Sequence, residues 1–290
     1  MRNIYSIITA LLVLTVLTGC SERSNDYSAI VPSVNERFAS SMEYNKAHGY
    51  AVLKVPDGDY RIYVCSDTHL NRTADNFRRF IRLYHDDADC PVAVNLGDLV
   101  EACETYDFYE QVLKETPAQA GKQDTMFVTP GNHDLFRNQW ESFKKHWPTS
   151  TYYFTVEVQD SAQTKDLYIC LDTAQGTLGT LQMRWLRDLL ESSRIAFRHI
   201  VIFTHVNMYS RDHTYADIST LPLEETMELM DLFSRSGVAQ YWAGHDHGRE
   251  LFTIGGVTYI IVDTLKDPYP EPAYMIVHVG EKVENTFHAI

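Results

Sequence analysis

The chain has 290 residues, with Lys+Arg 25 against Asp+Glu 39, a formal net charge of −14 and a pI of about 5.2. Hydrophobic residues at 44% and charged residues at 22% are globular proportions, which excludes a disordered or fibrous chain. So acidic a surface repels phosphate backbones, so no nucleic-acid partner is expected, and an anionic substrate would need a strongly positive local centre.

Met1-Arg2-Asn3 precedes an apolar run from Ile4 to Leu17, interrupted by Tyr5, Ser6, Thr9 and Thr15. A basic start, a short apolar stretch and small residues describe a secretory signal over residues 1–19; a membrane span needs about 20 apolar residues. The alternative is a buried or membrane-anchoring helix. Leu17-Thr18-Gly19-Cys20 resembles the lipobox of bacterial lipoproteins. That resemblance implies an exported protein, periplasmic or on the cell surface, held to the membrane through a lipidated Cys20. Loss of residues 1–19 removes one basic residue and no acid, leaving 24 − 39 = −15. Ser21 to about Val31 is polar, as suits a tether. Residues 20–48 therefore read as tether and N-terminal helix, and 49–290 as one domain. Of the other cysteines, Cys65 and Cys170 lie in apolar runs, while Cys90 and Cys103 flank a strand and its loop. No essential disulfide is expected.

Ser33-Val34-Asn35-Glu36 has the spacing of a capping box, which predicts a helix from Val34 to about Ala47. Pro56-Asp57-Gly58-Asp59 predicts a hairpin turn between strands Tyr50–Val55 and Tyr60–Ser66. Phe77, Phe80, Ile81 and Tyr84 mark an amphipathic helix. Pro91–Leu96 and Thr125–Thr129 are short apolar strands around a helix through Phe108, Val112 and Leu113. Tyr152–Val158 and Asp166–Leu171 predict a hairpin, and Leu181, Trp185, Leu186 and Leu189 a further helix. His199–Thr204 and Val238–Ala243 are strands either side of a helix from about Glu224 to Ser236. From Leu251 to about Val279 the pattern is of strands turned by Gly255-Gly256. Alternating units of this kind imply an α/β fold.

Polar residues suited to metal binding stand after the predicted strands. Ser66-Asp67-Thr68-His69 follows one, Gly97-Asp98 the next and Gly131-Asn132-His133-Asp134 the third; Thr204-His205 and Gly244-His245-Asp246-His247 come later. On extended backbone Asp67 and His69 would aim at one point, as would His245 and His247. The first two clusters are 98 − 67 = 31 residues apart, a natural βαβ length. Each glycine would let the backbone turn sharply before the side chain that follows it. A lone His or Gly-Asp after a strand is a common surface feature, but five such pieces, each after its own strand, make a constellation.

The order Asp-x-His, Gly-Asp, Gly-Asn-His-Asp, His, Gly-His-x-His resembles the calcineurin-like metallophosphoesterase superfamily over about residues 60–265. Leu171-Asp172-Thr173 with Gln182, Trp185 and Leu186 is similar to the middle of its purple-acid-phosphatase-like and cyclic-nucleotide-phosphodiesterase-like members. The fold implied is a β-sandwich flanked by helices, in α-β-β-α layers. Two ions about 3.5–4 Å apart need a shared ligand, which a carboxylate suits, and Asp98 is the expected bridge. The resemblance implies that Asp67, His69 and His247 hold one ion, and Asn132, His205 and His245 the other. Imidazole, carboxylate and amide without thiolate favour Zn, Fe or Mn. A water bridging both would be hydroxide near neutral pH and would attack phosphorus, giving dimetal-dependent hydrolysis of a small phosphate mono- or diester. His133, by the same resemblance, protonates the departing alkoxide or stabilises the transition state. Asp134 either orients His133 or caps a helix beginning at Leu135. Asp246 is expected to face away.

Asn207, Tyr209, Arg211, His213 and Tyr215 form a polar-aromatic loop, read either as substrate contacts, Arg211 above all, or as solvated surface. Tyr106 and Tyr109 are rim or packing residues, and the Pro-rich turn at Pro268-Tyr269-Pro270 suggests a fixed loop. Gly97-Asp98-Leu99-Val100 lacks the Asp-Arg-Gly continuation of Ser/Thr protein phosphatases. It lacks too the nearby Gly of cyclic-nucleotide phosphodiesterases and the Tyr of a purple iron centre. The rival reading is a non-catalytic metal-binding surface protein of the same fold. An amidohydrolase would open with His-x-His.

Overall fold

Ser33 accepts the backbone N–H of Glu36, whose carboxylate reaches back to Ser33 N, and this reciprocal cap starts helix α1 (Val34–His48). In the computed structural model, residues 31–290 are described except 57, 103–104, 116, 119–124, 137–138, 161, 194 and 210–220. The expected signal, Cys20, Cys103, Arg211, His213 and Tyr215 therefore lie outside the described residues. Among the described residues, no helix is long and apolar enough to cross a membrane. Cys65, Cys90 and Cys170 are buried, and no disulfide joins them to one another.

The chain continues through β1 (Ala51–Val55), β2 (Tyr60–Cys65), α2 (Asp75–Asp86), β3 (Val92–Asn95), α3 (Tyr106–Glu115), β4 (Met126–Val128), α4 (Trp140–His146), β5 (Tyr152–Val158) and β6 (Lys165–Cys170). It ends with α5 (Gly179–Ser193), β7 (His199–Phe203), α6 (Leu223–Ser236), β8 (Gln240–Ala243), β9 (Glu250–Ile254), β10 (Val257–Ile261), β11 (Ala273–Val279) and β12 (Val283–Ala289). Two sheets form, one ordered β1-β5-β6-β7-β8-β10-β9 and the other β12-β11-β2-β3-β4. The turn at Pro56–Asp59 is thus no hairpin: β1 pairs in parallel with β5, while β2 lies between β11 and β3 in the other sheet. Both flanking strands are rich in β-formers, and turn residues do not say which sheet each strand joins. The β5–β6 hairpin forms as expected, with Tyr152 opposite Cys170. Helix α4 and strand β12 lie outside the expected elements; β12 is largely exposed and carries charge, which hides its period.

Side-chain alternation sorts the core into three layers. Along β2, Ile62 and Val64 face the opposing sheet, where Phe154, Val201, Phe203, Trp242 and Ile260 meet them. Tyr63 and Cys65 face α2 and α3 through Phe77, Phe80, Tyr84 and Tyr109. On the other side Leu167, Ile169, Ile200 and Ile202 pack against Leu186, Leu190, Leu229 and Phe233 of α5 and α6. Each fully buried large apolar side chain contributes roughly 1.5–3 kcal/mol. With both sheet faces covered, the layers run helix, sheet, sheet, helix.

Helix α1 packs into this framework. Its Arg37 donates twice to Asp172, both bonds at 2.8 Å, with both side chains fully buried. The guanidinium also bonds Pro32 O and lies over Trp140. Gln182 anchors the same corner, accepting from Asp172 N and donating to Asp172 O. Arg37→Ala leaves a buried carboxylate uncompensated, so unfolding free energy falls by about 3–5 kcal/mol in a denaturant titration. Replacing Arg37 and Asp172 together by Met and Leu costs much less, because no charge stays behind.

Candidate metal centre

Strands β2, β3 and β4 of one sheet and β7 and β8 of the other end at one place, and the loops that leave them touch at the backbone. Asp67 N–H donates to Gly97 O, His69 N–H to Asp98 O and Leu70 N–H to Leu99 O, at 2.9–3.0 Å. Three glycines are needed for this approach. A Cβ on Gly97 would stand 2.8 Å from both Gly131 N and His205 Nδ1; one on Gly131 would overlap the Asp98 carboxylate, and one on Gly244 the Ser66 hydroxyl. Of the three, Gly97 alone has positive φ, so Gly131 and Gly244 serve by lacking a side chain, not by sharp turning. The left-handed conformation falls instead on the functional residues. Asp67, His69, Asp98, His245 and His247 have φ of 50°, 41°, 53°, 74° and 51°. The extended geometry expected for the two alternating pairs is therefore corrected. Non-glycine residues rarely take this conformation, and it concentrates at functional sites.

Two sets of ligand-type atoms meet at one carboxylate oxygen. On one side His247 Nε2 is 3.2 Å from Asp67 Oδ1 and 3.3 Å from His69 Nε2, and His69 Nε2 is 3.6 Å from Asp98 Oδ2. On the other side His205 Nε2 is 3.1 Å from Asn132 Oδ1, 3.1 Å from His245 Nδ1 and 3.4 Å from the same Asp98 Oδ2. Ligand atoms sharing an ion at bonds of about 2.0–2.1 Å stand about 3.0–3.4 Å apart, so both sets have the spacing of coordination spheres. Asp67 Oδ1 is fully buried without a hydrogen-bond partner, which a cation would remedy. All seven expected ligands are in this cluster, and the residues present fit a pair of cations.

The neighbours fix these groups. Asp67 Oδ2 accepts from Ser66 Oγ and from His245 N, and Asp98 Oδ1 from His133 N. His205 Nδ1 is 2.8 Å from Leu96 O, which leaves Nε2 for the centre. Burial opposes the charge of Asp98, yet His205, then His69 and His133, hold its carboxyl well below the usual range. Asp67 is likewise low, because His247 and His205 outweigh its burial. Burial disfavours a charged His205, but Asp98 and then Asp67 overcome it and raise its pKa to about 9; His245, buried beside His205, is pushed down to about 4.

Asp134 neither orients His133 nor caps a helix at Leu135, because α4 begins at Trp140. Its carboxylate is buried and accepts from Gly131 N, Leu99 N and Tyr106 Oη, stapling the loop after β4 to the loop after β3. Burial, then the Asp98 charge, lifts its pKa to about 6. The carboxylate that faces the His133 ring is Glu101, which belongs to none of the expected motifs. Its Oε2 is 3.3 Å from His133 Nδ1 and its Oε1 is 3.4 Å from His69 Nδ1. Its sole signal in the sequence is a carboxylate three residues after Asp98. His133 and His69 together draw its pKa below the carboxylate range. Tyr106 and Tyr109 are buried packing residues, and Tyr109 Oη meets Asn95 Nδ2 at 3.0 Å. Asn207 is buried and donates to Asp246 Oδ2 at 2.7 Å, and Tyr269 Oη donates to the His247 carbonyl.

A cation taking Nε2 of His205 must displace the proton that this ring holds up to about pH 9. Metal uptake will therefore release protons, and apparent affinity will rise as pH climbs from 6.5 towards 9. Titration calorimetry in buffers of different ionisation enthalpy measures both; an affinity flat across that window would contradict this assignment of the proton.

Residues 60–249, about two thirds of the chain, match the calcineurin-like phosphoesterase family. No curated protein sequence matches the chain. A dimetal phosphatase from Danio rerio superposes with a TM-score of 0.59 at 13% identity, covering 80% of this chain and 99% of that one. GAP50, the anchor in the inner membrane complex of Plasmodium, gives 0.59 at 13% identity, with 80% and 85% covered. The purple acid phosphatase PPD1 from yellow lupin seeds gives 0.60 at 12% identity, covering 80% of this chain and 51% of that one, so this chain spans about half its length. At these identities the likeness speaks for a shared fold alone. The family match, on a chain whose strand ends carry that constellation, is what decides: this protein belongs to the calcineurin-like phosphoesterases, hydrolases of phosphoric esters with a dinuclear metal centre.

Proposed function

We propose that the protein hydrolyses small phosphate esters, with Asp67, His69 and His247 holding one ion, Asn132, His205 and His245 the other, and Asp98 bridging them. The observation that carries this reading is the place of Asp98 Oδ2, within 3.6 Å of a ring nitrogen from each set. Bound there, Zn, Fe or Mn supplies Lewis acidity for the phosphoryl oxygens and acidifies water. The buried carboxylates and imidazoles keep these positions fixed, so little reorganisation is needed as charge moves in the reaction.

His133 serves as the proton donor. About a third of its side chain is exposed, and its Nε2 is 4.0 Å from Asp98 Oδ2. Burial works against its charge, but Glu101 and then Asp98 raise its pKa. As the bond from phosphorus to the ester oxygen breaks, the Nε2 proton passes to that oxygen and Glu101 steadies the ring from Nδ1.

Asp98→Asn removes charge from the bridge with little change of shape. We expect it to bind fewer than two metals per chain by elemental analysis, and to lose at least a hundredfold in kcat on an aryl phosphate. Full metal content with full activity would refute the bridge. The acidic, tethered chain acts outside the cytoplasm, anchored through Cys20; the Leu17-Thr18-Gly19-Cys20 run supports this reading. Cys20→Ala will accordingly move the protein from the detergent-extracted membrane fraction to the soluble one, and an unchanged distribution would count against the lipid.

A further inference from the structure

We infer that Lys266 is a positioning residue of this centre, acting through Glu101 on His133; the inference rests on the role of His133 given above. Lys266 Nζ is 2.6 Å from Glu101 Oε1. The same carboxylate faces Nδ1 of His69 with Oε1 and Nδ1 of His133 with Oε2, at 3.4 and 3.3 Å. Those two rings stand edge to face, 4.6 Å apart, and turn their Nε2 atoms to a single point, 3.6 and 4.0 Å from Asp98 Oδ2. This carboxylate thus steadies the tilt of the expected acid while lying against the ring of an expected ligand. A lone carboxylate on a partly exposed Glu side chain has rotamers that abandon both rings. The ammonium group supplies the contact that holds it in place.

The backbone shows that this contact is built in. Glu101 N–H donates to Leu70 O, and Leu265 N–H to Ser66 O, so both segments pair with the loop that carries Asp67 and His69. Thr264 Oγ1 donates to Asp67 O and accepts from Lys266 N. On the far side Asn76 Nδ2, in the first turn of α2, donates to Lys266 O at 3.1 Å. The lysine therefore reaches the carboxylate from a fixed backbone. It lies beyond residues 60–249, the stretch matched by the family. With Glu101 neutralising its charge, Lys266 is placed to govern geometry and proton delivery and not to grip the substrate.

The test compares Lys266→Met, Lys266→Arg and Glu101→Gln in the full mature chain, loaded with metal, on aryl phosphates whose leaving phenols span a range of pKa. Lys266→Met should lower kcat about tenfold on the most basic leaving groups and little on the most acidic, as loss of an aligned acid demands. KM and bound metal should stay within twofold, and Lys266→Arg should restore most of the rate. Adding Lys266→Met to Glu101→Gln should cost nothing more, since both act through one carboxylate. A raised KM at constant kcat would make Lys266 a substrate contact and overturn the inference, as would an equal loss on every leaving group. A long-range 1H–15N correlation spectrum of the ring nitrogens reads the same device without turnover. The Nδ1 and Nδ1–H resonances of His133 should shift in Lys266→Met and return in Lys266→Arg, and an unchanged His133 ring in Lys266→Met would overturn it. If the native chain proves unable to hydrolyse any ester, that failure belongs to the proposed function, and the spectra still decide the role of Lys266.

Discussion

The closeness of two loops around Asp98 governs the rest of the structure. The loop after β3 and the loop after β4 meet at backbone distance, with room for hydrogen atoms alone at Gly97 and Gly131. That contact lets Asp98 give one oxygen to His133 N–H and turn the other to His69 and His205. Asp134 holds the approach from behind, with three donors on its buried carboxylate. The sandwich exists to bring these strand ends together: β2, β3 and β4 come from one sheet and β7 and β8 from the other. Neither sheet alone holds both sets of ligands.

The electrostatics follow from the same crowding. Asp67, Asp98 and Asp134 lie near one another with almost no solvent exposure, and like charges in low dielectric cannot all be equal partners. The histidines side with Asp67 and Asp98, which stay ionised. Asp134, offered two backbone amides and one phenol but no cation, is the one driven up to about 6. An acidic chain thereby concentrates negative charge at a buried point, which attracts cations. The cations, once there, make that point attractive to an anionic ester, so the overall charge of −14 and an anionic substrate are compatible.

Sequence patterning made most of this legible, for physical reasons that also mark where it stopped. The strand runs were readable because these sheets are covered on both faces, so β2, β6 and β7 are apolar over residues 62–65, 167–170 and 200–203, towards their C-terminal ends. The ligands were readable because each follows such a run. Sheet membership was not: nothing local in Pro56–Asp59 tells β1 to leave for β5, since pairing is decided by partners far along the chain. The left-handed conformations of Asp67, His69, His245 and His247 were hidden too, because sequence rules look for glycine at positive φ. Glu101 and Lys266 were missed because they touch the centre through other side chains. Their meaning depends on a contact across 165 residues of sequence.

The fold itself is neutral between catalysis and attachment, since it is shared at near-equal similarity by a dimetal phosphatase and by an anchor of a membrane complex. What separates the two uses is where the chain tolerates strain. Five non-glycine residues held at positive φ cost about 1–3 kcal/mol each, and buried carboxylates add a desolvation penalty. A domain whose only task is to be held in place gains nothing from these costs, because the same loops could close with relaxed backbone and apolar contacts. Here five strained residues are among the seven that converge on one point, and the other two ligands, Asn132 and His205, complete the same cluster. Of the seven described non-glycine residues at positive φ, five belong to this one cluster of metal-type ligands, Gln163 and Glu271 being the others, and that concentration of strain fits a site shaped by cation binding.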